Sequence, residues 1–404
     1  MKQPDVILVI NSGSSSLKFT VYSIAQGNKR LANGLVERIG AANANLVYKK
    51  GDGAKTEEIV KAANHTEALE IVTKIIADPE RGVIASLDEV DAIGHRVVHG
   101  GEIFKSSTLV DADVVGKLKG LIPLAPLHNP PNIDGIEACF TVFKGKPNVA
   151  VFDTAFHQTM PDYVSHYAIP EEYYKAYGIR KYGFHGTSHR FVMLAAAKYL
   201  GKAPEELNLI TCHLGNGSSL AAIQRGKVLD TTMGMTPLAG LVMGSRCGHI
   251  DPAVILTLAR NGKTIDEIDA ILNKQSGLLG VGGINSGDMR DIVNNAAANV
   301  PSAQTALAMW AHRTLIFIGG YATVLGDVDA VVFTGGIGEN SAAARDKIAS
   351  RLGAIGVDYD KEANDSKRGP CHISKPGSKV AAIVIPTDEE LMIAEETFDV
   401  VSKQ

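Results

Sequence analysis

The chain has 404 residues, of which 45% are hydrophobic and 21% are charged, and its formal net charge is −4. This length exceeds what one hydrophobic core usually supports, so it predicts two domains. The small negative charge argues against nucleic acid or an anionic membrane as a partner. Scattered cysteines without metal-ligand spacing, no basic leader and no long apolar run predict a cytoplasmic protein that is neither exported nor membrane-spanning.

The N-terminal part alternates strands with helices. Runs of strand-forming residues predict strands over 6–10, 17–24, 31–38, 45–49, 91–101 and 148–156. Helical spacing of apolar residues predicts a helix over about 65–77. Four prolines within 121–139 predict an extended loop, followed by a helix that starts near Asn132.

The second part repeats the opening pattern. Segment 207–223 is again strand, Gly/Ser turn, strand, and its LGNGSSL (214–220) aligns with NSGSSSL (11–17) without a gap. A third variant, 329–348, reads as strand, Gly-rich turn and helix. Two related halves predict a duplicated α/β domain with a shared cleft.

Two helices of the second part stand out. The helix after HGTSHRF is predicted to begin with Thr187 or Ser188 as its N-cap and to end at Gly201. The segment 302–325 is apolar nearly all round, which predicts burial in a domain core or in a subunit interface. The predicted domains are residues 1–153 with 387–404, whose last helix (388–402) packs back, and residues 154–386.

Three Gly-rich turns suggest a nucleotide. The first, in VILVINSGSSSLKFTVY (6–22), offers backbone N–H groups, hydroxyls and Lys18 to an anion. It is not a Walker A loop, because GxxxxGK[ST] is missing and a strand follows. Taken alone it is equally compatible with a serine-rich hairpin without a ligand. HLGNGSS (213–219) and GGIGEN (335–340) are the other two, and the last alone fits a tight strand-to-helix turn better.

Charged residues beside glycines or at strand ends are the candidates for chemistry. Arg96 and Arg246 are flanked by glycines, where the backbone can approach a ligand closely, whereas most arginines form surface ion pairs. His185 precedes a helix N-terminus, and a turn histidine bonded to backbone is the plainer alternative. Asp153 could be a base, an orienting group or a structural turn residue. Glu389 is a capping acid or, with Asn11, part of a sparse Mg²⁺ site.

These segments resemble the acetate kinases, which belong to the acetate and sugar kinase, heat-shock chaperone and actin superfamily. The resemblance runs from VINSGSSSLK to IPTDEEL, and LITCHLGNGSSLAAIQRG is the second diagnostic segment. It implies two ribonuclease H-like, actin-like ATPase domains with a nucleotide cleft between them. It also implies reversible, Mg²⁺-dependent transfer from ATP to acetate, giving acetyl phosphate and ADP by direct in-line transfer, with Mn²⁺ as a possible replacement. A homodimer is expected.

The resemblance also assigns roles to residues. The implied catalytic residues are Asp153, His185 and Arg246. Acetate would pair with Arg96, with its methyl group in a pocket formed by Val98, Leu127, Phe184 and Pro237. Mg²⁺ would be placed by Asn11 and Glu389. ATP would be contacted by Ser14, Ser16, Lys18, His213, Leu214, Gly215, Asn216, Gly217, Asp288, Met289, Arg290, Gly336, Ile337, Gly338, Glu339 and Asn340.

Two residues depart from the expected pattern. His249 stands where an acidic or small residue is more usual, and Asp388 replaces a usual Asn beside the expected metal ligand. Propionate or butyrate kinase is the nearest alternative function, and Val98 favours acetate because a smaller residue would admit an extra methylene. An actin-like or chaperone ATPase would need no small-acid pocket. A sugar kinase would need a polar acceptor site, which the apolar pocket set does not offer.

Overall fold

The computed structural model describes residues 3–404, and these divide into two compact units. The first unit comprises the chain up to Phe156 together with Asp388–Gln404, and the second comprises His157–Thr387. Each has its own sheet and its own hydrophobic core. No helix within residues 3–404 is long and apolar enough to cross a membrane.

The first unit is built on a mixed sheet with the order β5-β4-β3-β2-β1-β6-β8-β7. Its strands are β1 (Val6–Gly13), β2 (Ser16–Ser23), β3 (Lys29–Glu37), β4 (Ala44–Lys50), β5 (Lys55–Val60), β6 (Val90–Val97), β7 (Thr108–Leu109) and β8 (Asn148–Phe152). Its helices before the chain leaves the unit are α1 (His65–Ile76), α2 (Ala112–Gly120) and α3 (Asn129–Val142). The sequence did not predict β5 or β7, and β6 and β8 end earlier than predicted.

The second unit has a sheet with the order β11-β10-β9-β12-β14-β13. The strands are β9 (Asn208–Leu214), β10 (Ser218–Gln224), β11 (Lys227–Thr231), β12 (Ala330–Thr334), β13 (Cys371–His372) and β14 (Ala381–Val384). The helices are α4 (Asp162–Ser165), α5 (Glu171–Tyr177), α6 (Gly186–Leu200), α7 (Ala253–Arg260), α8 (Ile265–Lys274), α9 (Gly277–Gly282), α10 (Met289–Ala297), α11 (Pro301–Leu325), α12 (Gly335–Asn340), α13 (Ala342–Ala349) and α14 (Lys361–Ser366).

The last helix, α15 (Glu389–Val401), returns to the first unit, as predicted. Its Ile393 belongs to the same buried cluster as Ile7 and Val9 of β1. The helix approaches the sheet closely, since a β-carbon on Gly94 would lie 2.3 Å from Oγ1 of Thr397. The alternate β1 residues face the opposite side and pack in another cluster with α1 and α3, as the pleat of a strand requires.

The two sheets share one topology. In the first, β3-β2-β1 is antiparallel and β6 and β8 add parallel strands, and in the second, β11-β10-β9 is followed by parallel β12 and β14. This correspondence confirms the predicted duplicated α/β class. The ungapped alignment of the turns is wrong, however. Gly13 pairs with Ser16 across a two-residue turn, whereas Leu214 pairs with Ser218 across a three-residue turn.

Three predicted segment boundaries are also wrong. Helix α3 begins at Asn129, because Pro130 and Pro131 occupy the first turn, where the missing N–H groups are not needed. Helix α6 begins at Gly186 after His185, without a side-chain cap. The predicted Gly-rich turn at 335–340 is the short helix α12. The predicted end of α6 at Gly201 is confirmed by its left-handed φ of 67°.

Helix α11 explains why its sequence is apolar on nearly every side. One face carries Trp310 and Ile318, which are 1% and 0% exposed, into the core of the second unit. The other face leaves Met309, Ile316 and Val324 exposed by 41%, 54% and 56%. Burial in a domain core is therefore confirmed for the face that carries Trp310 and Ile318. The prediction of a subunit interface applies to the exposed face.

Candidate active site

An arginine–carboxylate pair lies where two neighbouring strands of the first unit end. Arg96 is in β6, Asp153 directly follows β8, and the two strands are parallel, so both side chains reach the same sheet edge. Arg96 donates to Asp153 from Nε at 3.2 Å and from Nη2 at 2.6 Å. This carboxylate raises the pKa of Arg96, which is therefore firmly cationic.

Oxygen donors surround this pair. Nη1 of Arg96 donates to Oδ1 of Asn11 on β1 at 3.4 Å. Glu389, the first residue of α15, is half-buried, and burial raises its pKa to about 7, with Arg96 opposing and Asp153 reinforcing the shift. Carboxylate and amide oxygens are the ligands that Mg²⁺ accepts, usually few of them together with water and phosphate oxygens. The residues predicted to hold Mg²⁺ fit that ion chemically.

The residues flanking Glu389 are bound to β2 and β3. Asp388 caps α15 by accepting from the Leu391 N–H at 3.0 Å, and it also accepts from the Tyr22 hydroxyl and pairs with Arg30. Glu390 pairs with Lys18. The unexpected Asp388 is thus a structural cap, and Lys18, predicted to face phosphate, holds a carboxylate in this structure.

The β1–β2 hairpin is anchored from outside. A ring nitrogen of His65 lies 2.7 Å from the Gly13 carbonyl, and the Asn132 amide donates to the Ser12 carbonyl at 2.7 Å. Ser14 is exposed at the tip of this hairpin, and Ser16 is half-buried at the start of β2. The turn is therefore rigid at its base and open at its tip.

The same asparagine also positions part of the predicted acyl pocket. Asn132 accepts from the Val98 N–H at 3.0 Å, and Asn129 bonds both backbone groups of His99. Val98 is buried, whereas Leu127 is 70% exposed. Asn129 and Asn132 are not among the predicted site residues, although the prolines beside them marked the HNPPN segment in the sequence. In the second unit, Phe184 is buried and Pro237 is half-buried.

The second unit contains a glycine-walled cavity of about 430 Å³. Its lining joins three of the predicted nucleotide segments, through Gly215, Asn216, Asp288, Met289, Arg290, Gly336, Ile337 and Asn340. The predicted residues His213, Leu214, Gly217, Gly338 and Glu339 lie in the same segments but outside the lining. Unpredicted lining residues are Gly244, Gly287 and Ser341.

Close approach of neighbouring atoms explains two of these glycines. A β-carbon on Gly244 would lie 1.9 Å from Oδ1 of the Asn216 side chain, and one on Gly287 would lie 2.4 Å from the Gly244 carbonyl. At Gly287 the obstacle is backbone, so only glycine allows this approach to Gly244. Gly244 and Gly287 could have been chosen from the sequence, since they lie next to the candidate residues Arg246 and Asp288.

Charged residues near the cavity are partly structural. Asp288 caps α10 through the Arg290 N–H and pairs with the Arg290 side chain, which lowers the pKa of Asp288 to about 2. Glu339 accepts from the N–H groups of Gly335 at 2.9 Å and Thr387 at 3.0 Å. Its carboxylate thus fixes the turn after β12, and the neighbouring backbone lines the cavity.

His185 is held in an unusual backbone conformation beside this loop. Its φ is 57°, in the left-handed region, which costs a non-glycine residue of order 1–3 kcal/mol. Nδ1 lies 2.9 Å from Oγ of Ser219, and the ring stacks on His213 with 4.3 Å between centroids. A β-carbon on Gly217 would lie 3.6 Å from Nε2 of His185 and 3.3 Å from Nη1 of Arg246. His185 and Arg246 thus converge on one loop.

Arg246 differs from Arg96 in its partners. Nη1 donates to the Pro237 carbonyl at 3.1 Å and contacts the Met243 sulfur at 3.7 Å. Within residues 3–404, Arg246 forms no ion pair with a carboxylate. Burial lowers its pKa, as expected for a cation without a counter-ion.

The exposed His249 donates its backbone N–H to the Gly240 carbonyl, and its own carbonyl accepts from Arg313.

Comparisons with known proteins show which family the chain belongs to. The model of the acetokinase family matches residues 6–395. The chain is 50% identical over 399 residues to an acetate kinase of Clostridium novyi (strain NT), covering 98% of each protein. It is 51% identical over 395 residues to one of Methanosarcina acetivorans, covering 98% of this chain and 96% of the relative.

Two solved structures resemble the fold over nearly all of the chain. The acetate kinase of Porphyromonas gingivalis superposes with a TM-score of 0.95 at 42% identity, over 98% of this chain and all of that one. A propionate kinase of Francisella tularensis superposes with a TM-score of 0.90 at 43% identity, with the same coverage.

Proposed function

Because the chain belongs to the acetokinase family, we propose that it transfers the γ-phosphoryl group of ATP directly and in line to acetate. The products are acetyl phosphate and ADP, and the reaction is reversible. The fold, with its duplicated sheet, is of the actin-like ATPase class. The acetate kinases that the chain resembles have the same fold.

The observation that carries this mechanism is the unpaired guanidinium of Arg246. A half-buried cation without a carboxylate partner is an anion-binding group. It converges with His185 on Gly217, in the hairpin loop whose Gly215 and Asn216 line the cavity. Charge neutralisation on a transferring phosphoryl group is the main catalytic requirement of a kinase. Arg246 and His185 supply it.

The acceptor needs binding more than activation. A carboxylate is already a nucleophile, so no strong general base is required, and positioning does the work. Arg96 pairs with the acetate carboxylate, and Asp153 orients Arg96 through two hydrogen bonds. Asp153 therefore acts through Arg96, and its loss should damage the reaction less than the loss of Arg96, Arg246 or His185.

The nucleotide and its metal are assigned as follows. ATP occupies the glycine-walled cavity of the second unit, and Ser14, Ser16 and Lys18 face its phosphates. Asn11 and Glu389 would hold Mg²⁺, or Mn²⁺ in its place, and the ion would neutralise phosphate charge.

The proposed acyl preference rests on Val98, which the resemblance groups with Leu127, Phe184 and Pro237 in an apolar pocket for the acetate methyl group. Such pockets discriminate one methylene by about 1–3 kcal/mol, so propionate should react more slowly than acetate. The test is hydroxamate formation from Mg-ATP, hydroxylamine and acetate, propionate or butyrate in parallel. We expect the strongest signal with acetate. A propionate preference would keep the mechanism and overturn the pocket assignment.

The same assay tests the alternative class. An actin-like or chaperone ATPase would hydrolyse ATP without a carboxylic acid and change its assembly state with nucleotide. Hydrolysis without hydroxamate from any of the three acids would contradict the proposed function.

We also propose that the protein is a cytoplasmic homodimer whose interface lies on the second unit. The exposed apolar face of α11 and the exposed Val254, Ile255 and Leu256 of α7 are available for a second copy. All four cysteines are free thiols, as a reducing compartment requires. Size-exclusion chromatography with light scattering should give a dimer that Ile316→Asp weakens. A monomer at micromolar concentration would contradict it.

A further inference from the structure

A chain of side-chain hydrogen bonds leads from His185 into the core of the second unit. Oγ of Ser219 lies 2.9 Å from Nδ1 of His185 and 2.8 Å from Nε2 of His189. Nδ1 of His189 lies 2.7 Å from Oγ1 of Thr211, which donates to the Ala221 carbonyl at 3.5 Å. Ser219, His189 and Thr211 are fully buried.

At any one time, His189 allows only one pattern of donors and acceptors along this series of hydrogen bonds. Its burial, with His157 and His213 nearby, lowers its pKa well below the ordinary value, so the ring is neutral. A neutral imidazole has one N–H and one lone pair. Each hydroxyl in the chain likewise donates a single proton. The proton position on His189 therefore fixes the direction of every other bond in the chain.

One direction satisfies more groups than the other. When Thr211 donates to Ala221, it accepts from the N–H at Nδ1 of His189, and Ser219 donates to Nε2 of His189. Ser219 then accepts from an N–H at Nδ1 of His185. The reverse direction turns the Thr211 hydroxyl to His189 and removes its bond to the Ala221 carbonyl.

The charge state of His185 selects the same direction. An imidazolium carries N–H groups on both nitrogens, so a protonated His185 can only donate to Ser219. In the reverse direction the Ser219 hydroxyl would point at that N–H.

From this geometry we propose that Ser219, His189 and Thr211 are positioning residues that hold the proton of His185 on Nδ1. Nε2 then offers an N–H to the phosphoryl group only when His185 is the imidazolium. This inference rests on the proposed role of His185 in phosphoryl transfer. A neutral His185 would instead direct a lone pair at a phosphoryl oxygen.

The groups facing His185 are consistent with protonation on substrate binding. In the second unit these are Arg246, beside the same edge of the ring, the stacked His213, and His189 through Ser219. His157 lies one ring further, 5.7 Å from His189. The Arg246 cation disfavours an imidazolium, and an incoming phosphate favours it.

Thr211→Val tests the proposal, because it keeps the shape of a buried residue that does not contact His185. Without its acceptor, His189 moves its proton to Nε2, Ser219 turns to donate to His185, and His185 carries its proton on Nε2. The readout is ¹⁵N NMR of the histidine-labelled full-length protein without substrates. The His185 signals are identified among the 12 histidines by their loss in His185→Asn.

We expect Nδ1–H on His185 in the parent protein and Nε2–H in Thr211→Val. We also expect a 10- to 100-fold lower kcat, about the effect of losing an outer-layer partner, because a Ser219 hydroxyl that donates to Nδ1 opposes the imidazolium. The KM values for ATP and acetate should be unchanged. Thr231→Val is the matched control. Thr231 is a buried residue on β11 whose hydroxyl donates to the Leu220 carbonyl and takes no part in the hydrogen bonds that lead to His185. It should change neither tautomer nor kcat.

Ser219→Ala provides a second route if Thr211→Val folds poorly, because it removes the acceptor of the Nδ1–H of His185. We expect the neutral His185 ring in Ser219→Ala to shift from Nδ1–H toward Nε2–H. Where Thr211→Val does fold, adding it to Ser219→Ala should not change the His185 tautomer further. Nε2–H on His185 in the parent, or a tautomer unaffected by Thr211→Val, would overturn the proposal. Failure of the proposed function would appear separately, as absent hydroxamate formation, because the NMR readout needs no substrate.

Discussion

The two arginines assigned to the reaction have opposite electrostatic settings. In the first unit, Arg96 makes two hydrogen bonds to Asp153, a carboxylate with only 3% of its side chain exposed. In the second unit, Arg246 has carbonyl and sulfur contacts but no ion pair among the described residues. Asp153 raises the pKa of Arg96, whereas burial lowers that of Arg246.

This contrast matches what each arginine has to bind. Bound acetate carries the same single negative charge that it carries in solution. An arginine whose charge is balanced by a carboxylate is therefore sufficient to hold and orient it. The transferring phosphoryl group presents several charged oxygens whose distribution changes during the reaction. An uncompensated cation interacts with that change most strongly, and only such differential interactions raise kcat.

Removing Arg246 should have the largest effect. Arg246→Ala should lower kcat by about 10²- to 10³-fold, the usual result of deleting one donor to a developing charge. Folding stability should be unchanged or higher, because a half-buried unpaired cation is lost. Steady-state kinetics and urea unfolding measure the two effects. Arg260→Ala, an exposed arginine at the end of α7, is the control, and an equal loss of kcat there would contradict the role of Arg246.

Removing Arg96 should instead damage the fold. Arg96→Ala removes the arginine partner of the buried Asp153 carboxylate, which should cost about 3 kcal/mol in the free energy of unfolding. Adding Asp153→Asn should recover part of this loss, since the buried negative charge that Arg96 neutralised disappears. Urea unfolding of the single and double variants measures the recovery. If the double variant is no more stable than Arg96→Ala, the pair is not the source of the stability.

The third test concerns the pH dependence of the carboxylate cluster around Arg96. Glu389 has a folded-state pKa of about 7 against an ordinary value of 4.5. Because the folded state binds this proton more tightly, the contribution of Glu389 to stability is complete below pH 4.5 and is lost as pH rises through 7. Glu389→Gln remains neutral, so without Mg²⁺ its Tm should exceed that of the parent more at about pH 8 than at about pH 5.

The Tm difference is measured by thermal unfolding across this range. Asp388 is not a suitable control because it caps α15, whereas Asp399→Asn replaces an exposed carboxylate on the same helix. A Tm difference between Glu389→Gln and the parent that is independent of pH would contradict burial as the cause.

The smallest expected effect concerns the acyl group. Val98→Ala removes two methyl groups from a buried residue and should improve kcat/KM for propionate relative to acetate by about tenfold, within the range for one methylene. Acetate in the same assay is the internal control. An unchanged ratio would remove Val98 from the acyl pocket.

Sequence patterns predicted the parts of the fold that depend on local order. The strands of both hairpins, α1, α11 and the C-cap at Gly201 follow from periodicity and glycine conformation. Strand β5 was missed because five of its six residues are exposed and it has no apolar alternation. The start of α3 was misplaced because prolines both break helices and begin them.

Candidate residues could be selected from the sequence, but their partners could not. Lys18 was assigned to phosphate, yet it pairs with Glu390 at the other end of the chain. The left-handed backbone of His185 has no signal in its residue type, and Ser219 was noticed only as part of a turn. The electrostatic difference between Arg96 and Arg246 also depends on which residues fold beside them. Similar glycine-flanked contexts gave no means of distinguishing the two arginines.

The most direct measurement is the acetate KM and the kcat of Arg96→Ala and Arg246→Ala, determined side by side with Mg-ATP. We predict that Arg96→Ala mainly raises the acetate KM, whereas Arg246→Ala mainly lowers kcat. The reverse pattern, or the same change in both variants, would contradict a division of labour between a paired and an unpaired arginine.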